Sequence, residues 1–226
     1  LGHREVLGVV WDGPPDPHLP SIALRPAQRV CEDLPALSAS WRQLVQFAAQ
    51  YYQRAPGEVA LQALPPQLRQ LQAQQLARRL KKWSSVTKTA PAQSQEPDAA
   101  IPKPTAEQSQ VLDQLEQARS ARTHLLFGAT GSGKTEVYLR RMQAVLAQHD
   151  EAQALILVPE INLTPQLEAR VRERFEPVYG LGCVVSMHSA MTPAQRLNAW
   201  LASHLGRARI VLGTRLAVFA SMPGLR

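Results

Sequence analysis

The spacing of apolar residues predicts a C-terminal half in which strands alternate with helices. Short apolar runs at residues 125–127 and 154–158 are typical of buried parallel strands, and residues 183–187 and 209–212, which are mostly apolar, are predicted as two further strands. Apolar residues follow the helical period between these runs, over 136–148, 164–175 and 192–204. Because alternating strands and helices form βαβ units, we expect an α/β fold with a parallel sheet. Ligands of such sheets bind at the carboxyl ends of the strands.

The N-terminal half has a different pattern. Residues 6–11 are typical of a strand, and residues 22–30 could form a second strand that Pro26 interrupts. Ser38 is a suitable N-cap for a helix over 39–52, and we expect the aromatic stripe of this helix to lie in the core rather than to stack on bases. A segment that is extended or briefly helical follows at 57–64, and an irregular amphipathic helix is predicted over 67–83.

A change in composition predicts how the chain is divided. Residues 84–104 are rich in Ser, Thr, Ala, Gln and Pro, which is typical of a flexible linker. We therefore expect an N-terminal module over 1–83, a linker over 84–104 and a second module over 105–226. Residues 59–95 contain basic but no acidic residues, so the helix there either follows a phosphate backbone or is a solvated face beside the linker.

Residues 128–135, Gly-Ala-Thr-Gly-Ser-Gly-Lys-Thr, match the phosphate-binding loop G-x-x-x-x-G-K-[ST]. The loop lies between a predicted strand and a predicted helix, which is the context that this motif requires. The glycines allow backbone N–H groups to converge on phosphate oxygens, while Lys134 can reach the β- and γ-phosphates and Thr135 can bind Mg²⁺. The predicted nucleotide site consists of Gly128, Ala129, Thr130, Gly131, Ser132, Gly133, Lys134 and Thr135, with Lys134 and Thr135 as the catalytic pair.

Charge and cysteine content narrow the possible partners. The chain has 25 Lys and Arg against 18 Asp and Glu, a formal net charge of +7, which favours a polyanion such as nucleic acid but also fits an ordinary basic surface. The two cysteines, Cys31 and Cys183, form no C-x-x-C pair, so no zinc site is predicted. Sparse cysteines, no apolar run of 18 residues and no secretion signal predict a cytoplasmic protein without a membrane span.

The loops after the predicted strands carry four motifs. They are the loop at 128–135, V-P-E-I-N-L-T-P-Q at 158–166, M-H-S-A-M-T-P-A-Q-R at 187–196 and V-L-G-T-R-L-A-V-F at 211–219. These motifs resemble helicase motifs I and Ia, the His-Ser segment and motif Ib of the PriA family of bacterial replication restart helicases, also called primosomal protein N-prime. Residues 6–11 and 40–69 resemble the second half of the 3′-end DNA-binding domain of that family.

The resemblance implies a RecA-like P-loop domain, preceded by a partial, mainly-β DNA-binding domain with a helix. It implies an ATP-dependent, superfamily 2 DNA helicase that moves 3′ to 5′, recognises stalled forks and initiates primosome assembly. The implied cofactors are ATP and Mg²⁺. The implied partners are forked and single-stranded DNA, single-strand binding protein and other primosome proteins at the nucleoid, with no membrane partner.

The resemblance also implies roles for individual residues. Thr164, Gln166, Thr214 and Arg215 would contact the DNA backbone, and their hydroxyl, amide and guanidinium groups independently suit phosphate oxygens. Gly2 and Arg25 would lie near the DNA 3′ end. Two alternatives remain open. Gln108 either contacts adenine or belongs to the capping box Thr105-Ala-Glu-Gln108, which begins a predicted helix over 106–119. Arg215 either contacts the DNA backbone or forms a salt bridge with Glu160.

Several features of the family do not occur in this sequence. They are the first strands of the 3′-end domain, the winged helix, the D-E-E-H motif, the zinc-binding cysteines and the second motor lobe. We therefore expect an internal fragment that binds DNA weakly and turns over no ATP, with zinc expected only in the family. Two alternatives are another P-loop DNA translocase and a DNA-binding module with a relic P-loop.

Overall fold

The computed structural model describes residues 7–11, 27, 30–71, 73–85, 103–118, 123–159 and 164–226. Seven α-helices lie in these ranges: α1 Ala39–Tyr51, α2 Pro56–Ala63, α3 Ala73–Ser85, α4 Ala106–Gln117, α5 Lys134–Gln148, α6 Pro165–Tyr179 and α7 Pro193–His204. Two 3₁₀ turns span Leu68–Gln70 and Arg215–Phe219. None of the described helices combines the length and apolar content that a membrane crossing requires.

The described strands form one parallel sheet. Its members are β1 Ala154–Leu157, β2 Val184–Met187 and β3 Ile210–Gly213, in the order β1-β3-β2. β3 pairs with both neighbours, so that Leu157 and Met187 both lie opposite Gly213. The α/β fold with a parallel sheet is confirmed, and the carboxyl ends of the three strands meet at one edge.

The predicted buried strand at 125–127 is wrong. These residues form no ladder, and the side chains of Leu125 and Phe127 are 90% and 93% exposed. β1 is hydrogen-bonded only to β3 in the described sheet, and no described strand flanks residues 125–127. An apolar run becomes a buried strand only where neighbouring strands pair with its backbone N–H and C=O groups. The composition of residues 125–127 alone therefore could not show whether they form a strand.

The N-terminal module is helical in the part of it that the structure describes. Residues 7–11 lie outside any strand, which corrects the strand predicted at 6–11; Leu7 N–H donates to the Arg69 carbonyl at 3.5 Å, and Leu7 packs on the core. Most of the possible strand at 22–30 lies outside the described residues. The mainly-β character expected of this module is therefore not seen in residues 30–71 and 73–85, which contain α1, α2 and α3.

Helix α1 has the predicted cap, because the Ser38 side chain accepts a hydrogen bond from Trp41 N–H at 3.2 Å. Its buried face contains Trp41 and Val45, as expected. Tyr51 and Tyr52, however, are exposed and meet each other edge to face, so the expectation of core is wrong for these two residues. Helix α1 ends at Tyr51, so no further turn of this helix extends its buried face past these two residues.

The segment after α1 consists of three separate helical pieces, α2, the first 3₁₀ turn and α3. Of the two possibilities for residues 57–64, the structure has a helix over 57–63, which Pro56 begins, and Leu64 is extended. The helix predicted over 67–83 is divided, because Leu71 is extended with ψ 130° between the first 3₁₀ turn and α3. Helix α3 continues to Ser85, which lies just inside the predicted linker.

Residues of the N-terminal module pack directly on the sheet domain. One hydrophobic cluster joins Trp41, Leu64 and Leu68 to α7, β3 and the second 3₁₀ turn. Trp41 Nε1–H donates to the Phe219 carbonyl at 2.9 Å. On α7, the His204 ring bonds through Nε2 to the Pro35 carbonyl and through Nδ1 to Ser221 Oγ, both at 2.9 Å. Burial lowers the pKa of His204, so the neutral ring is favoured at this junction.

A buried polar residue links the end of the chain to the start of β1. Gln153 is fully buried, and its Nε2 donates to the carbonyls of Ser203 at 2.8 Å and Ala208 at 2.7 Å. Its Oε1 accepts from Gly224 N–H at 2.9 Å. One side chain thereby satisfies backbone groups of three segments, which an apolar residue could not do.

Candidate nucleotide-binding and DNA-binding sites

The glycine-rich loop lacks the strand expected before it, but it keeps two features that suit phosphate binding, left-handed glycines and a helix N-terminus. Gly131 and Gly133 have φ values of +81° and +80°, which side-chain-bearing residues rarely adopt. A Cβ at Gly128 would lie 2.8 Å from Ser132 Oγ, so the Ser132 side chain lies close to the Gly128 backbone. The N-terminus of the 15-residue helix α5 follows at once, and its free N–H groups favour an anion.

The charged groups around the loop leave its centre positive. Lys134 Nζ donates to the carbonyls of Gly128 at 2.7 Å and Ala129 at 2.6 Å, which places the ammonium inside the loop. Glu136 lies in the first turn of α5 and would repel a phosphate, but Arg140 and Arg174 hold its carboxylate at 2.7 and 2.9 Å. These residues fit a magnesium nucleotide: the loop for the phosphates, Lys134 for their charge and Thr135 for the cation.

Gln108 serves as the cap partner and also contacts the loop. Thr105 and Gln108 form the predicted capping box at the start of α4, with distances of 2.9 and 3.2 Å. Gln108 Nε2 also donates to the Gly133 carbonyl at 3.2 Å. A second tie between α4 and α5 is the Arg141–Glu116 ion pair at 2.6 Å. The capping role of Gln108 is confirmed, and its contact with adenine stays a prediction.

Two of the four predicted DNA-backbone residues line one cavity at the carboxyl edge of the sheet. Thr164 and Thr214 belong to a cavity of about 620 Å³ that Glu168, Arg172, His188 and Ser189 also line. Thr164 caps α6 by accepting from Leu167 N–H at 3.2 Å. Gln166 and Arg215 are both exposed and lie outside the cavity lining. The structure thus brings two hydroxyls together, but not the amide and the guanidinium.

Thr214 lines this cavity and has a buried hydroxyl. The residue is 1% exposed, and its Oγ1 has no hydrogen-bond partner among the described residues. Its N–H donates to the Met187 carbonyl at 3.1 Å, which ties it to the end of β2. The neighbouring Gly213 cannot carry a side chain, because a Cβ would lie 2.6 Å from that same carbonyl. Thr214 therefore offers a buried hydroxyl at the end of the central strand.

The cavity also contains an acidic side chain whose charge is compensated. Burial raises the pKa of Glu168, but hydrogen bonds from Arg172 and Ser186 and the charges of Arg172 and His188 together lower it by more, so the pKa lies below its ordinary value. Arg172 holds Glu168 and Glu176, each at 2.8 Å. The edge is therefore not a simple basic patch, and a phosphate would bind beside a paired carboxylate.

Some predicted residues cannot be placed. Gly2, Arg25 and Glu160 lie outside the described residues, so the 3′-end contacts and the salt-bridge alternative for Arg215 stay predictions. Within the described ranges, no group of three or more His, Cys, Asp or Glu residues could hold a metal ion.

Sequence reasoning missed His188 at the edge cavity and Arg209 at the opposite end of β3. His188 was noted only as part of a motif, although its position after β2 could have indicated the cavity that it lines. Arg209 donates to the carbonyls of Ala152, Leu146 and His149 and lies 4.9 Å from the Tyr179 ring centre. No local signal marks Arg209, because the carbonyls that it contacts lie 57 to 63 positions away in sequence.

Comparison with known proteins identifies the two parts of the chain. Residues 105–223 match the model of the DEAD/DEAH box helicase family, which is more than half of the 226 residues. The chain belongs to the DEAD/DEAH box helicase family. Residues 1–65 match a second model, the 3′ DNA-binding domain of PriA. In this DEAD/DEAH box helicase chain, the phosphate loop and the edge cavity both lie within the helicase match.

Curated relatives of this helicase chain include several proteins named replication restart protein PriA. The chain is 38% identical to that of Bacillus subtilis over 124 residues, which are 54% of this chain and 14% of the relative. It is 44% identical to the protein of Synechocystis over 101 residues, which are 45% of this chain and 11% of that relative. It is 43% identical to the protein of Haemophilus influenzae over 101 residues, which are 45% of this chain and 13% of that relative. The expected resemblance to PriA is confirmed, although the alignments cover only a small part of each relative.

Proposed function

We propose that this chain is the nucleotide-binding and DNA-binding part of a replication restart helicase that uses ATP to move 3′ to 5′ on DNA. The observation that carries the proposal is the phosphate loop with Lys134 inside it, on the same sheet domain as the edge cavity of Thr164 and Thr214. The PriA relatives and the match of residues 1–65 to a 3′ DNA-binding domain support replication restart rather than another kind of P-loop translocase.

The loop residues would bind and orient the triphosphate. Backbone N–H groups of 128–133 surround the phosphates, and Lys134 exchanges the carbonyls of Gly128 and Ala129 for the β- and γ-phosphate oxygens. Thr135 supplies a hydroxyl to Mg²⁺, which when bound neutralises the charge that develops on the phosphates. Gln108, already bonded to the Gly133 carbonyl, would lie beside the nucleotide and contact adenine.

The carboxyl edge would hold the backbone of single-stranded DNA. Thr164 and Thr214 donate their hydroxyls to phosphate oxygens from within the cavity, while Gln166 and Arg215 contact the same strand from the exposed surface. Gly2 and Arg25 would contact the 3′ end of a nascent strand at a stalled fork. The partners we propose are forked DNA, single-strand binding protein and primosome proteins, at the cytoplasmic nucleoid.

Removing Arg215 tests the DNA assignment. We expect Arg215→Ala to weaken single-stranded DNA binding equally for all sequences, because phosphate contacts carry no sequence information. The slope of log K against log salt should fall by about 0.7, the effect of one phosphate contact on a single strand. Fluorescence anisotropy with the 226-residue chain at several salt concentrations measures this slope.

Two further variants complete the test of Arg215. Arg170→Ala removes an equal charge from an exposed α6 position outside the cavity lining and should leave the slope unchanged. Thr164→Ala should weaken binding without changing the slope, because it removes no charge. An unchanged slope in Arg215→Ala would instead assign this guanidinium to a contact within the protein.

A further inference from the structure

A second, smaller cleft lies between the N-terminal module and the sheet domain. Its volume is about 110 Å³, and residues 62–66 form one side of it. Met187, His188, Arg196, Trp200, Leu216 and Phe219 belong to the other side. This volume exceeds the ~10–15 Å³ that one water needs and is well below the ~300 Å³ of a typical small-molecule site. The cleft therefore suits one small chemical group.

Two residues that line this cleft, Arg196 and Trp200, carry buried hydrogen-bond donors without a partner among the described residues. Trp200 is only 2% exposed, yet its Nε1–H has no hydrogen-bond partner among the described residues. The same holds for Arg196 Nε, although Arg196 Nη2 reaches the Ser189 carbonyl at 3.4 Å. Trp41, by contrast, is 4% exposed and donates to Phe219. Since buried donors are nearly always paired in folded proteins, the two orphan donors indicate a ligand with acceptor atoms.

The walls of the cleft indicate what kind of acceptor this ligand is. Leu64, Pro65 and Pro66 face the cleft from one side, and Leu216, Phe219 and Trp200 from the other. Flat apolar and aromatic walls with a few donors suit an unstacked nucleobase better than a charged phosphate. His188 lines both this cleft and the edge cavity of Thr164 and Thr214, so the two are neighbours.

We propose that this cleft receives one unstacked base of the single strand whose backbone lies along the carboxyl edge. Trp200 Nε1–H and Arg196 Nε–H donate to carbonyl or ring-nitrogen acceptors of the base, and the aromatic and proline walls pack on its faces. The inference rests on the proposed DNA-binding function and adds a base contact to it, at the junction of the two modules.

The test compares a thymidine oligonucleotide with an abasic deoxyribose-phosphate oligomer of equal length. Wild type should bind the thymidine oligomer more tightly. In Trp200→Phe this preference should fall about threefold to tenfold, the effect of losing one hydrogen bond. Affinity for the abasic oligomer should not change, because the backbone contacts remain.

Trp41→Phe is the matched control, because it makes the same substitution at a buried indole whose N–H is already bonded within the protein. It should destabilise the fold more than Trp200→Phe, which loses no protein hydrogen bond, and it should keep the preference for bases. Arg196→Lys is a second variant that keeps the charge and removes the Nε–H; it too should lower the preference, with an unchanged salt slope.

The results distinguish failure of the base contact from failure of the proposed DNA-binding function. An equal ratio of the two affinities in wild type, Trp200→Phe and Arg196→Lys would mean that the cleft holds only water, which overturns the base contact but leaves the edge contacts intact. Failure of wild type to bind either oligomer would refute the DNA-binding function itself, and the base contact with it.

Discussion

Lys134→Ala is expected to abolish ATP turnover by the full-length protein and to weaken ATP·Mg²⁺ binding by the 226-residue chain about 10- to 100-fold. The Lys134 ammonium lies inside the phosphate loop, bonded to Gly128 and Ala129, so it is in place to meet the triphosphate. A hydrogen bond to a charged group contributes about 1.5–3 kcal/mol, which corresponds to this range of affinity. Isothermal titration calorimetry measures the binding, and a coupled ATPase assay measures the turnover.

Lys103→Ala is the matched control, since Lys103 is exposed and lies before α4, outside the loop. It should bind and hydrolyse ATP like the wild type. If Lys134→Ala kept wild-type affinity and turnover, the loop would not be the nucleotide site. Wild type that bound DNA but no ATP would favour the alternative of a DNA-binding module with a relic P-loop.

Gln153→Leu is expected to lower the free energy of unfolding by about 2 kcal/mol or more. The substitution leaves the buried Ala208 carbonyl and the half-buried Gly224 N–H without a partner, whereas the Ser203 carbonyl still accepts from Gly206 N–H. Each buried group left unsatisfied costs about 1–3 kcal/mol. Urea unfolding followed by circular dichroism should show a lower midpoint with an unchanged slope.

The control for Gln153 is Gln114→Leu, the same substitution at an exposed position of α4. Its unfolding free energy should stay within about 0.5 kcal/mol of wild type. Equal midpoints for Gln153→Leu and wild type would show that Gln153 does not hold the chain end against β1, and the hydrogen-bond network described for it would be wrong.

The helices could be predicted from the sequence because their start signals are local. Ser38, Thr105, Thr164 and Thr192 each cap a helix, and each accepts a hydrogen bond from the backbone three residues ahead. The strands that became β1, β2 and β3 were also found, because each has a pairing partner: β1 and β2 both pair with β3. Residues 125–127 have the same composition but no flanking strand, and that condition cannot be seen in an isolated apolar run.

The candidate sites also differ in how far the sequence alone could predict them. The phosphate loop is one continuous motif, so its residues could be named from the sequence alone. The edge cavity needed the strand order, because Thr164 and Thr214 meet only when β1 and β3 pair. The cleft of Trp200 could not be predicted, since it depends on residues 62–66 packing against residues 187–220.

Hydrogen exchange measured by mass spectrometry tests the central claim most directly, that nucleotide and DNA occupy two separate places on one sheet domain. ATP·Mg²⁺ should slow amide exchange in peptides that cover 128–136. A thymidine oligonucleotide should slow exchange in peptides that cover 187–191 and 213–219, because ligand contact raises the free energy of local opening. Protection of 213–219 by ATP·Mg²⁺ with no change at 128–136, or no protection at the carboxyl edge by the oligonucleotide, would contradict the account.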